Sequence, residues 1–228
     1  MNKLKYIGAV LIALAGLGLQ QAKADTIYSI SVGNAALTGA GFTGPYASVN
    51  VHLVDTTHAT VTFTGLTQVI GGTTYQYLFG ATGAVDVNVH ATSWTISGIT
   101  ATNSGAGFTT VGPFTDNGSK NVDGFGIMNQ NVASFDGFTH SANVVSFTLT
   151  NTSGTWATSS AVLIANANGA SVAAHIFVTT FPANASNSAI VTGFAANGGA
   201  RVPDGGTTVM LLGAALGALG MARRFLMS

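Results

Sequence analysis

The sequence predicts an all-β fold, an antiparallel β-sandwich of jelly-roll type, flanked by one short apolar helix at each end. Three observations predict it. Apolar and polar residues alternate with a period of two through several short stretches. Gly-Gly, Asn-Gly and Asp-Gly pairs punctuate the chain between those stretches. Uncharged apolar runs occupy both termini.

The elements follow in chain order. Residues 26–32 open the body as a first strand. Ala47–Val54 and Ala59–Leu66, joined through Asp55-Thr56-Thr57-His58, predict a hairpin, because Val49, Val51 and Leu53 share one parity and Asn50 and His52 the other. Strands are predicted next over 73–79, 85–90 and 93–99. The run Val85-Asp86-Val87-Asn88-Val89-His90 alternates most cleanly and directs Asp86, Asn88 and His90 to solvent. Val145–Thr150, Val172–Thr180 and a last strand over 189–192 complete the set, and Ser159–Asn166 is the one internal stretch that fits a helix. Residues 195–201, rich in Ala, Gly and Asn, are expected to form a flexible linker.

Composition narrows the chemistry. Only 6 % of the 228 residues are charged, Cys is 0, and the Asp+Glu total of 7 consists entirely of Asp. Without cysteine there is no disulfide scaffold, thiolate metal site or thiol nucleophile. Lys120 and Arg201 face six aspartates between residues 25 and 202, so that body is mildly acidic and poorly suited to nucleic acid.

The candidate chemistries each meet a blander explanation. Asp123 and Asp136 are the best carboxylate pair for glycoside hydrolysis, but both stand in Asp-Gly turn dipeptides. His52, His58 and His90 lack the spacing of a zinc site, and His175 lies in the apolar run Ala173–Val178 as a core histidine expects. The loop Asp116–Asp123 offers oxygen ligands to calcium, with an Asx-rich turn as the default. Gly169-Ala170-Ser171 is an incomplete nucleophile elbow. Tyr75 and Tyr77 alternate with polar residues and suggest a surface strip for stacking sugars, whereas Trp94 is expected in the core. Thr60, Thr62, Thr64 and Thr148, Thr150, Thr152 form hydroxyl rows that fit a flat array or ordinary β-propensity. No catalytic residue, cofactor or metal is expected.

The ends carry the sharper signal. Lys3 and Lys5, the apolar stretch Tyr6–Leu19 and Ala22-Lys23-Ala24 make a signal peptide cleaved after Ala24 by signal peptidase. Its apolar stretch would reach only about 21 Å as a helix, short of a bilayer's hydrocarbon core. At the other end Val202-Pro203-Asp204-Gly205-Gly206 breaks the chain, Thr207–Ala222 is an uncharged apolar run, and Arg223-Arg224 closes it. This breaker, short transmembrane helix and basic end resemble the PEP-CTERM sorting signals, and the Val-Pro-Asp-Ser-Gly variant most closely, with Gly205 in place of its serine. The resemblance implies transient membrane insertion and processing by an exosortase, a membrane-embedded enzyme of bacteria that make extracellular polysaccharide. Residues 121–179 are also similar to the bodies of other PEP-CTERM-bearing proteins, a resemblance that transfers no catalytic residues.

The expected organisation is therefore a signal peptide over 1–24, a β-domain over 25–194, a linker over 195–201 and a sorting signal over 202–228. The expected role is that of an exported, non-enzymatic surface or matrix protein, structural or adhesive. The alternative is a carbohydrate-binding module for extracellular polysaccharide.

Overall fold

A computed structural model describes residues 24–108, 113–134 and 137–201. The signal helix and the transmembrane helix expected at the two ends lie outside these residues. Among the described residues no helix is long and apolar enough to cross a membrane.

The strands are β1 (Thr26–Gly33), β2 (Ala47–Leu53), β3 (His58–Gly65), β4 (Thr67–Ile70), β5 (Thr73–Phe79), β6 (Val85–Val87), β7 (Trp94–Thr102), β8 (Thr115–Asp116), β9 (Lys120–Val122), β10 (Gly126–Met128), β11 (Gln130–Ala133), β12 (Val144–Asn151), β13 (Val172–Thr180) and β14 (Val191–Arg201). The fold is all-β and its paired strands are antiparallel, as the alternation predicts. The pairing nevertheless runs through one main sheet rather than two. Its order is β7-β12-β3-β2-β1-β14-β13-β6-β11-β8, with β5 also on β13 and β4 on β5. Strands β9 and β10 form a separate ribbon.

The sheet curls until it nearly closes. Phe79, at the end of β5, exchanges two backbone hydrogen bonds with Ala142 (2.6 and 2.8 Å), two residues before β12 begins. The circuit β12-β3-β2-β1-β14-β13-β5 thus returns almost to its start. Such closure removes most open edges and encloses one core. Gly65 makes the corner possible, because a Cβ there would sit 2.1 Å from the carbonyl oxygen of Tyr77.

The core is what the period-two residues build. Val49, Val51, Val61, Phe63, Val145, Phe147 and Leu149 are fully or almost fully buried. Phe63 meets Phe79 edge-on at 6.0 Å and stacks with Phe147 at 6.3 Å, which ties β3 to both β5 and β12. Trp156 is buried as well and donates its indole N–H to the His90 carbonyl (2.8 Å).

Three local expectations change. Residues 195–201 form the second half of β14 instead of a linker, pairing with β1 from Gly33↔Ala195 to Ile27↔Arg201. Ala195 and Ala196 lie between β1 and β13, and from Asn197 onward the strand is paired with β1. The stretch 159–166 contains only a single 3₁₀ turn, Ser159–Ala161. A short helix unmarked by the alternation, α1 (Ala35–Gly39), lies over β14 with Leu37 buried; a Cβ on Gly193 would be 2.8 Å from the Leu37 side chain.

Candidate functional site

The outer surface of the curled sheet is treated in two ways. Across β2, β3, β12 and β7 it is open, and the register aligns polar residues into rows. Asn50 faces Thr62, Thr62 faces Ser146, and Ser146 faces Thr100; His52, Thr60, Thr148 and Ser97 form the next row. Thr62 and Ser146 join hydroxyls at 2.9 Å. The threonine rows Thr60, Thr62, Thr64 and Thr148, Thr150 therefore lie on one hydrogen-bonding face, with the Asp25 carboxylate at its β2 side on Asn50 and His52; Thr152 lies beyond the end of β12.

Across β6, β13 and β14 the same surface is covered. Val122 and Met128 of the β9–β10 ribbon pack with Ala170, Ala173 and Ala196, against Phe125 and Phe194. This cover overturns one expectation: Asp86 does not point to solvent but is 1 % exposed, although Asn88 is half-buried and His90 exposed as the alternation suggests. The pleat direction is right; a non-local segment lies on it.

Asp86 is paired in register with Asn131 of β11 and Ala173 of β13. Its Oδ1 accepts a hydrogen bond from Asn131 Nδ2 (2.8 Å), while its buried Oδ2 has no hydrogen-bond partner. Burial pushes this carboxyl up to about 8, against the hydrogen bond from Asn131 and the charge of Lys120, which both pull it down. Burial thus favours the protonated carboxyl. Asn131 is fully buried too, and its carbonyl Oδ1 accepts from Asn117 Nδ2 (3.1 Å). Lys120 leads the ribbon across this place: a Cβ on Gly83 would lie 3.5 Å from Asp86 Oδ2 and 3.7 Å from Lys120 Cε.

His175 stands beside it, 4.6 Å from the Phe194 ring and 5.0 Å from Phe177. Its Nδ1 donates to the Gly80 carbonyl (2.9 Å), which fixes the tautomer, so Nε2 accepts from Thr192 Oγ1 (2.5 Å). Burial holds this imidazole below its ordinary value, and the Lys120 charge acts the same way. It is a neutral, satisfied histidine, as the apolar run around it predicts.

The other candidates do not converge. His52 contacts Asp25 (2.6 Å) and His58 contacts Asp55 (2.8 Å), both at the surface. Asp55 also accepts the backbone N–H groups of Thr57 and His58, which hold its carboxyl far below the usual range. Among the described residues no three His or Asp side chains gather as metal ligands. Asp116 accepts from the Gly118 backbone N–H (3.0 Å), the Asx turn expected by default, while Asp123 instead accepts from Asn34 (3.0 Å). Asp136 lies outside the described residues. Ser171 is buried and leads into strand β13, which is not an elbow's strand–turn–helix setting. The tyrosine strip is also overturned: Tyr77 is fully buried against Tyr46, with its hydroxyl donating to Gln68, and half-buried Tyr75 meets Phe42 edge-on at 5.0 Å. Both rings fill the core because β5 closes the sheet, a contact that alternation alone does not reveal. Trp94 is half-buried and donates to Gln130 (2.9 Å).

Sequence reasoning missed Asn131 altogether and saw Asn117 only as part of the Asp116–Asp123 turn and calcium loop. The one signal available was Lys120, the single lysine between residues 25 and 201 of a chain this poor in charge.

At the termini, Ala24 is exposed one residue before Asp25 and two before β1 begins at Thr26. Ala22, Val202, Pro203, Asp204, Gly205, Gly206, Arg223 and Arg224 lie outside the described residues. Ile27 of β1 is the register partner of Arg201 of β14, so the chain enters and leaves the body on neighbouring strands at one end of the sheet. No curated protein and no solved structure matches the chain. A family model for the VPDSG-CTERM motif matches residues 201–225, beginning at the last residue of β14. The chain therefore carries a PEP-CTERM-like C-terminal sorting motif, the signal of an exported surface protein processed by an exosortase-type enzyme.

Proposed function

We propose that the protein is a non-enzymatic structural or adhesive component of the cell surface or extracellular matrix, delivered there by its sorting motif. The observation that carries this reading is the match at 201–225 placed at the end of β14. Among the described residues the pairing of β14 runs to Ile27↔Arg201, so removal of everything after the motif would leave those hydrogen bonds intact. The paired position of Ile27 and Arg201 lets signal peptidase and exosortase act on one side of a folded body. The open face of Thr, Ser and Asn supports the adhesive part. Uncharged hydroxyl rows exchange hydrogen bonds with water or with neutral polymers at little net cost per bond, so useful retention comes from many copies acting together.

The alternative, binding of extracellular polysaccharide, now rests on that same face rather than on Tyr75 and Tyr77. Trp94 packs against the core from the inner side of β7 and gives its indole N–H to Gln130, so on that face the hydroxyl rows alone would carry binding. The two readings separate in one experiment. A chain ending at Arg201 and the full chain are expressed in the native host, and each is followed through membrane, surface, matrix and medium fractions. The reading predicts surface or matrix retention for the full chain and release of the truncated chain into the medium. Equal retention of both would contradict sorting through the motif. Retention of the truncated chain on purified host polysaccharide, lost in a Thr62→Asp, Thr148→Asp double variant, would favour the carbohydrate-binding alternative.

A further inference from the structure

From the placement of Lys120, Asn131 and Asp86 under the β9–β10 ribbon, we infer that the Lys120 amine and the Asn131 carboxamide join in an intramolecular amide cross-link. Asp86 and Asn131 are buried side by side, and half-buried Lys120 comes close to Asp86 above Gly83. The Asn131 carbonyl oxygen already holds a hydrogen-bond donor, Asn117 Nδ2 at 3.1 Å, where negative charge develops when a nucleophile adds. The Asn131 nitrogen is 2.8 Å from Asp86 Oδ1. Asp86 is buried, which favours its protonated form, and it touches the nitrogen that must depart, so it is placed to give that nitrogen its proton. Lys120 is the only amine-bearing side chain between residues 25 and 201. Its Cε and Asp86 Oδ2 flank the same point above Gly83, at 3.7 and 3.5 Å.

The reaction balances without a co-reactant. The Lys120 ammonium passes one proton to solvent, which the released ammonia later takes up, and its amine nitrogen adds to the Asn131 side-chain carbonyl carbon. The C–N bond to the original amide nitrogen breaks, Asp86 protonates that nitrogen as it leaves, and the proton shed by the attacking nitrogen restores Asp86. The sum is a lysine ammonium plus a carboxamide giving a secondary amide plus ammonium. In the structure no ion pair joins Lys120 to Asp86 among the described residues, so the reacting conformer is reached by rotation of the flexible lysine stem toward Asn131. Folding supplies the encounter, since both partners are already held on adjoining segments.

The bond would fasten the ribbon to the sheet it covers. The ribbon has only three residue pairs of its own, and its packing is what keeps Asp86 and Asn131 dry. An exported chain with no cysteine has no disulfide with which to do this.

Intact mass spectrometry of the purified full chain tests the inference, followed by digestion of the denatured protein with a lysine-specific protease. The expected mass is lower than the sequence mass by one ammonia, and the chain between Lys23 and Ser228 stays uncut at Lys120. Lys120→Arg and Asp86→Asn, the second isosteric with the neutral acid, are expected at full mass. A folded wild-type protein at full sequence mass overturns the proposal. So does ammonia loss that persists in Lys120→Arg, which would place it at a succinimide such as Asn117-Gly118. Loss of water instead of ammonia would overturn Asn131 as the acceptor in favour of Asp86.

Discussion

The two halves of the sheet's outer surface obey the same alternation and end in opposite environments. On β3 and β12 the outward residues, Thr60, Thr62, Thr148 and Thr150, are partly exposed as their parity predicts. On β6 the alternation is just as clean, yet Asp86 is 1 % exposed because the β9–β10 ribbon lies across it. Parity specifies which face a side chain takes. Whether that face meets water depends on segments far away in sequence. The open half thus presents hydroxyl rows partly to solvent, and the covered half is a buried polar site.

The comparison can be broken most forcefully from the shared interior. Phe63→Ala removes the ring that links β3 to β5 and β12, and a loss of about 3–5 kcal/mol is expected from the denaturation midpoint. A change under about 1 kcal/mol would mean that the inner faces do not form one core.

The covered half is tested through its carboxyl. The folded-state value of Asp86 lies above its unfolded one, so the folded protein holds an extra proton between the two. This group's contribution to stability is therefore greatest at or below pH about 4 and declines as pH rises toward about 8, then levels. Asp86→Asn should remove that decline while leaving the fold intact, as read from urea midpoints across the range. Parallel pH profiles for the two proteins would mean that Asp86 is solvated.

Smaller effects sharpen the boundary between the halves. Tyr77→Phe keeps the buried ring but strips the hydroxyl from Gln68, a cost of about 0.5–1.5 kcal/mol by chemical denaturation. Thr60→Val, on the open face, should move stability by no more than about 0.5 kcal/mol in either direction. A larger loss would show that this face, too, is covered.

Legibility in the sequence followed the same division. The hairpin of β2 and β3, the strands β5, β12 and β13, and the burial of Val49, Phe63 and Phe147 were all readable, because each depends on local periodicity. Strand β11 was not, since Gln130-Asn131 carries no apolar alternation and is paired only after the sheet assembles. The second half of β14 was hidden by its small residues, which suit a tether in isolation and pair with β1 only once the sheet assembles. Tyr75 and Tyr77 were misplaced because closure of β5 onto β3 is a long-range event. The sorting motif was legible outright, as a linear signal in the sequence that needs no fold to be read.

The central claim is that the protein is exported and cut at its C-terminal motif, and intact mass spectrometry of the protein from separate fractions of its native host tests it most directly. The account predicts, in the surface or matrix fraction, a chain that begins at Asp25 and has lost the apolar run after Gly206. A chain intact through Ser228 and confined to the membrane fraction would contradict it.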